Sequence, residues 1–239
     1  MFHPDPFDWI FFDCFNTLID DFDETGDESG LAPMYHVPVE AGLYDTLEEF
    51  RQDYHRWRKA HLSGKAKEYT LQERMQHILA AYRPQADPEQ VQQVINTMAV
   101  QFATAYPKTL RLPVGVQTML EHWHGRVKMG VVSNYFLAEW PAKFLTEYGM
   151  RQYFDFVLDS AACGWRKPGL EIYQAALELA GIQDLSRVLF IGDHLRNDVM
   201  APMRLGMQAV HFDRAGERPN AKPTPPEIPS ITHWDQFRR

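Results

Sequence analysis

The chain has 239 residues, 45% of them hydrophobic and 23% charged, enough for a sizeable core and the balance of an ordinary globular protein. A formal net charge of −8 without a Lys/Arg cluster argues against nucleic acid as a partner, since no counterion-release affinity is available. Two cysteines build no disulfide framework, no apolar run nears the ~20 residues of a membrane span, and no basic-then-apolar leader opens the sequence, so a reducing cytoplasm is the expected setting.

The first element is the run Trp9-Ile10-Phe11-Phe12 leading into Asp13. Four apolar residues with no polar face predict a strand buried on both sides of a parallel sheet. Asp13 then stands at the strand's carboxyl end, where open α/β sheets gather their chemistry. It could act as a nucleophile, hold a metal, or simply cap a turn. Asp20, Asp21, Asp23, Glu24, Asp27 and Glu28 follow as a crowded acidic segment, which predicts a solvated linker. Residues 31–38 read as further loop, punctuated by Pro33 and Pro38.

A helical block comes next. Leu43, Leu47, Phe50, Tyr54 and Trp57 recur at spacings of three and four, predicting a helix over 41–61. His55, Arg56, Arg58, Lys59 and His61 would line its wet side. Thr70-Leu71-Gln72-Glu73 is a capping box opening a second helix to about 82. Asp87-Pro88 opens a third, to about 106, with Pro at its first turn. Three amphipathic helices with no strand between them predict an all-helical domain over 20–107.

From 110 onward helices and strands alternate: helix 114–124, strand 127–132, helix 137–148, strand 156–158, helix 169–180, strand 188–191, helix 198–205, strand 208–212. The proline-rich tail is loop that packs back through Ile231, Trp234 and Phe237. The fold class this implies is α/β, a doubly wound parallel sheet built from 1–19 and 108–239 and interrupted by the helical domain after its first strand.

Four polar sets fall at or beyond the predicted strand ends: 13–17, Ser133-Asn134, Lys167, and 193–198. Each alone fits a turn or a helix cap. Together they compose a site for phosphoryl chemistry. A carboxylate approaching a phosphoryl dianion is repelled by about 4 kcal/mol per charge pair at ~4 Å and an effective dielectric of ~20. A divalent cation shared by Asp13 and Asp193, helped by the Lys167 ammonium, offsets that repulsion. Mg²⁺ suits oxygen ligands supplied by one or two carboxylates. Thr17 and Ser133 are placed to hold phosphoryl oxygens.

The order and spacing of Phe12-Asp13-Cys14-Phe15-Asn16-Thr17-Leu18, Val131-Val132-Ser133-Asn134, Arg166-Lys167-Pro168 and Ile191-Gly192-Asp193-His194-Leu195-Arg196-Asn197-Asp198 closely resemble the four motifs of the haloacid dehalogenase superfamily. The inserted helical domain resembles that family's mobile cap. The resemblance implies Asp13 as a nucleophile forming an aspartyl intermediate, with Thr17, Ser133 and Lys167 assisting. It implies Mg²⁺ held by Asp13, the main-chain carbonyl of Phe15 and Asp193, with Asp198 in support. Phe15, Asn16 and Asn134 are expected to meet a small substrate, a phosphorylated metabolite or a halo acid.

One position departs from the family's phosphatases, which carry a second Asp two residues after the nucleophile as the acid/base. Phe15 stands there. General acid–base help is worth about 10²–10⁴-fold, so a phosphatase without it should favour good leaving groups unless another group, such as His194, substitutes. The same departure keeps three alternatives open: dehalogenation, whose leaving halide needs no proton; phosphonate cleavage through Lys59, Lys65 or Lys67; and a feeble member that only binds a phosphate ligand or a protein. Cys14 and Cys163 lack the spacing of thiol phosphatases, and no Walker loop is present.

Overall fold

The computed structural model describes residues 7–21, 31–214 and 224–238. Two compact units emerge, one of Met1–Asp20 with Arg111–Arg239, the other Asp21–Leu110. In chain order the elements are β1 (Trp9–Phe12), β2 (Asp20–Asp21), α1 (Val37–Glu40), α2 (Leu47–His61), α3 (Leu71–Tyr82), α4 (Pro88–Ala105), β3 (Leu110–Arg111), α5 (Val116–Trp123), β4 (Lys128–Ser133), α6 (Trp140–Glu147), β5 (Phe156–Asp159), α7 (Ser160–Cys163), α8 (Leu170–Ala180), β6 (Val188–Gly192), α9 (Ala201–Leu205), β7 (Gln208–Phe212) and β8 (Ser230–Ile231). No helix among the described residues is long and apolar enough to cross a membrane.

The first unit is a six-stranded sheet in the order β5-β4-β1-β6-β7-β8, every pair parallel. All four residues of β1 are buried. Its side chains alternate between two cores. Trp9 and Phe11 meet Phe156, and Phe11 also meets Phe190, over the side covered by Ile172 and Tyr173 of α8. Phe12 meets Phe154 and Trp234 on the other side. From β1 the chain proceeds to β4 and β5 on one flank, then crosses to β6, β7 and β8 on the other. The strand order therefore reverses between β1 and β6, and in open α/β sheets ligands bind outside the carboxyl ends at such a reversal. Asp13 follows β1 and Asp193 follows β6.

The tail does pack back. β8 pairs with β7, Trp234 is fully buried and stacks on Phe212 at 4.5 Å, and the Trp123 indole N–H donates to the Phe237 carbonyl at 3.1 Å.

The second unit is helical. Thr70 and Glu73 form the reciprocal capping box at the start of α3, and the Asp87 carboxylate accepts the Gln90 N–H at the start of α4. Phe50, Tyr54 and Trp57 of α2 are buried, while Arg56, Lys59 and His61 are exposed.

Several local expectations are corrected. Residues 31–38 are not loop: Ala32–His36 is a 3-10 helix that leads into α1, and Pro33 and Pro38 occupy first-turn positions, where a missing N–H costs nothing. The next helix begins at 47 rather than 41, because Gly42 turns the backbone to φ +72° and Thr46 accepts the Glu49 N–H as its cap. The helix after β4 starts at Trp140, behind Glu139 at φ +68°. The predicted 198–205 helix is two pieces, a π-helix over Leu195–Met200 and then α9. Asp20 is not solvated. It is buried, ion-paired to Arg214 at 2.7 Å and to Arg111 at 3.8 Å, so its desolvation is offset by charge. Asp23, Glu24, Asp27 and Glu28 lie outside the described residues.

Candidate active site

Beyond β1 the chain curls tightly. The Cys14 carbonyl accepts N–H groups from Leu18 at 2.8 Å and Ile19 at 3.0 Å, and the Asn16 N–H donates to Ile19 O at 2.6 Å. This needs a left-handed residue at 16, where φ is +65°, a conformation that asparagine tolerates better than most side chains. The curl places Asp13 Oδ1 to accept the Cys14 N–H at 2.8 Å. Thr17 is fully buried inside it.

Lys167 reaches Asp13 from the loop before α8. Its Nζ lies 3.0 Å from Asp13 Oδ1 and 2.7 Å from Asp198 Oδ1, with the lysine 2% exposed. A buried ammonium is stable only when paired in this way. Burial lowers the affinity of Lys167 for its proton, but Asp13 and Asp198 together more than offset this and hold its pKa above the ordinary lysine value. Asn134 sets the lysine's position. Its side-chain NH₂ donates to the Lys167 carbonyl at 2.8 Å, and its side-chain oxygen accepts the Lys167 N–H at 2.7 Å. The amide of Asn134, a residue expected to meet substrate, clamps the main chain of the lysine. The Lys167–Pro168 peptide bond is cis.

The third strand end brings the remaining acids. After β6 the main chain enters the π-helix, and π turns recur at functional sites. Asp198 Oδ2 accepts the His194 N–H at 2.9 Å, folding the segment back on itself. Gly192 makes this possible: a Cβ there would lie 2.5 Å from Asp198 Cγ. The Tyr173 hydroxyl donates to the Asn197 carbonyl from α8. Carboxylate oxygens of Asp13, Asp193 and Asp198 all fall within 4.8 Å of one another. Burial pushes the Asp13 carboxyl up to about 6 against the pull of Lys167, with Asp198 adding to the rise. So many acids around a single ammonium leave an excess of negative charge that suits a divalent cation, and all-oxygen donors suit Mg²⁺.

Thr17 Oγ1 and Ser133 Oγ are buried without a hydrogen-bond partner. Each such group costs about 1–3 kcal/mol. A ligand with oxygen atoms to share is one physical account of their retention. Ser133 ends β4, two residues past Val131, the partner of Phe12 across the sheet.

The Phe15 ring is 8% exposed and stacks on Tyr135 with centroids 4.5 Å apart, edge-on to Phe144 at 6.3 Å. Its side chain is therefore committed to packing. Tyr135 is itself held by Ser160 Oγ, which accepts its N–H at 2.8 Å. His194 Nδ1 accepts the Asn197 N–H at 3.4 Å, and burial holds this imidazole below its usual pKa. Burial and the Asp13 charge push the Cys14 thiol well above its usual value, so thiolate chemistry has no footing there. Sequence reasoning did not find Tyr173, Gly192 or the clamp by Asn134. Only a glycine directly before Asp193 hinted at one of them.

A family model described as haloacid dehalogenase-like hydrolase matches residues 7–206. The pyrimidine 5'-nucleotidase YjjG of Escherichia coli is 32% identical over 205 residues, 84% of this chain and 83% of that protein. Among solved structures, a 2-haloacid dehalogenase from Pseudomonas syringae superposes with a TM-score of 0.72 at 20% identity, covering 97% of this chain and 96% of that one. The HAD-hydrolase YfnB of Bacillus subtilis, bound to magnesium, superposes with a TM-score of 0.63 at 18% identity, covering 97% and 96%.

Proposed function

The chain belongs to the haloacid dehalogenase-like hydrolases, and from that premise we propose that it is a Mg²⁺-dependent phosphatase of small phosphorylated metabolites with Asp13 as nucleophile. The observation that supports this reading is the convergence of Asp13, Asp193 and Asp198 on one point beside Lys167. Displacement of halide by a lone carboxylate has no use for two further acids, whereas a phosphoryl group needs its charge offset.

Asp13, Asp193 and Asp198 would hold the Mg²⁺, with the Phe15 carbonyl as a further ligand. When bound, the ion supplies positive charge against the phosphoryl oxygens. Lys167 supplies a second positive charge, beside Asp13 Oδ1 and Asp198 Oδ1. Thr17 and Ser133 donate their unpartnered hydroxyls to the phosphoryl group. Asp13 Oδ1 is held by the Cys14 N–H and by Lys167, which leaves Oδ2 to attack phosphorus. The new Oδ2–P bond forms as the ester P–O bond breaks, and the leaving oxygen takes its proton from water, because Phe15 has none to give. Water then attacks phosphorus, releasing phosphate and restoring the carboxylate. The inserted unit, Asp21–Leu110, takes the part of the substrate-selecting cap in this reading.

The test sets an aryl phosphate against 2-chloropropionate, each with and without chelator. The expected result is aryl phosphate hydrolysis that chelator removes and that Asp13→Asn reduces to background. Chelator-insensitive turnover of the halo acid would establish dehalogenation instead, and turnover of neither would leave a binding role. A metabolite screen begins with pyrimidine 5'-nucleotides, the class in the name of the Escherichia coli relative.

A further inference from the structure

His211 is a buried polar side chain to which the phosphatase reading gives no part. It is 2% exposed and sits on β7 directly beside Gly192 of β6. Its Nε2 lies 2.8 Å from the main-chain oxygen of Asp193, and its Nδ1 lies 2.6 Å from Thr224 Oγ1. The Thr224 N–H and hydroxyl both contact Asp213 Oδ2, at 3.0 and 2.7 Å. Four residues thus form one line from a carboxylate to the carbonyl at the head of the acidic segment.

The direction of the last bond follows from its acceptor. A carbonyl oxygen only accepts, so Nε2 must carry a hydrogen toward Asp193. Thr224 Oγ1 lies between His211 Nδ1 and Asp213 Oδ2, within hydrogen-bond distance of both. Thr224 and Asp213 orient the ring from behind, and its donor grips the backbone of a residue whose side chain is one of the three converging acids.

We propose that His211, held by Thr224 and Asp213, is a positioning residue that fixes the main chain at Asp193 so that the carboxylates of Asp193 and Asp198 meet that of Asp13. The proposal rests on the phosphatase reading for the identity of the ion. Mg²⁺ demands near-ideal octahedral geometry at about 2.0–2.1 Å, so small errors in the placement of its ligands are costly. Loss of an outer hydrogen-bond partner of a metal ligand typically weakens binding about 10–100-fold. A side chain that served only to fill space at this point would not need polar partners at both ends of its ring.

The test uses the full chain and three substitutions. His211→Phe removes both ring hydrogen bonds. His211→Gln keeps an NH₂ group that can reach the Asp193 oxygen. Thr224→Val keeps the imidazole but removes what orients it. One readout is Mg²⁺ titration by calorimetry. The other is hydrogen–deuterium exchange over 193–198 in magnesium-free protein, with β4 as internal reference. The expected result is about 10-fold weaker Mg²⁺ binding in His211→Phe, faster exchange over 193–198 with β4 unchanged, substantial recovery in His211→Gln, and an intermediate Thr224→Val. Unchanged exchange, exchange sped equally in both segments, or a His211→Gln no better than His211→Phe overturns the proposal. If the wild-type protein takes up no Mg²⁺, the phosphatase reading falls, and the exchange comparison by itself still decides the part of His211. If His211→Phe does not fold, Thr224→Val against wild type carries the same comparison.

Discussion

Phe15 has no proton to exchange, and its ring lies against Tyr135 and Phe144. The two facts pull a substitution in opposite directions. Phe15→Asp would restore a proton donor two residues from the nucleophile, worth up to about 10²–10⁴-fold on alkyl phosphates and less on aryl phosphates, whose leaving groups depart without help. It would also empty an aromatic site, and core Phe→Ala changes alone cost about 3–5 kcal/mol. The expected outcome is a variant with higher kcat on alkyl phosphates and a lower melting midpoint. Steady-state kinetics on both substrate types beside thermal unfolding check it, and equal gains on the two would show that leaving-group protonation does not limit the enzyme. Asp13 and Asp193 were legible as candidates because charged side chains beside apolar strand ends stand out, and Lys167 and Asp198 through the motifs they belong to. Asn134 was legible as a candidate but not in its use, because a clamp on the main chain of a residue far along the sequence leaves no local pattern.

The segment from β6 into α9 shows how an element can be named correctly in place and wrongly in form. An apolar run ending in Gly-Asp announces a strand and its site. Nothing in the spacing of Leu195 to Met200 distinguishes a π turn from an α turn, since the difference lies in which carbonyl each N–H selects. Gly192 is the residue on which that turn depends, because Asp198 occupies the space its Cβ would take. Gly192→Ala should therefore move Asp198, with overpacking of about 1–3 kcal/mol and weaker Mg²⁺ binding. Calorimetric titration and thermal unfolding test this, and a variant with native values for both would show that the turn accommodates the methyl group. The first helices of the inserted unit carry the same lesson. Pro33 and Pro38 read as loop punctuation by composition, yet a proline at a first turn is a start signal.

At the scale of the molecule, the tail completes the core. Trp234 is fully buried against Phe12 and Phe212, so the strand that bears Asp13 is packed partly by residues near the other end of the chain. Trp234→Ala should destabilise the protein by about 3–5 kcal/mol, read as a loss in the chemical-denaturation midpoint, and an unchanged midpoint would mean the tail only covers the surface. By itself the sequence determined the α/β class and the alternation of helices and strands from 110 onward, and it named acids and a lysine as candidates for a site, because hydrophobic period and charge near strand ends are local properties of the chain. Tertiary structure alone decided that Asp20 is buried on Arg214, that Phe15 belongs to an aromatic stack, and that His211 addresses Asp193. Those outcomes depend on which distant groups share a buried space, where an unpaired polar atom is too costly to leave, and no window along the sequence contains both partners.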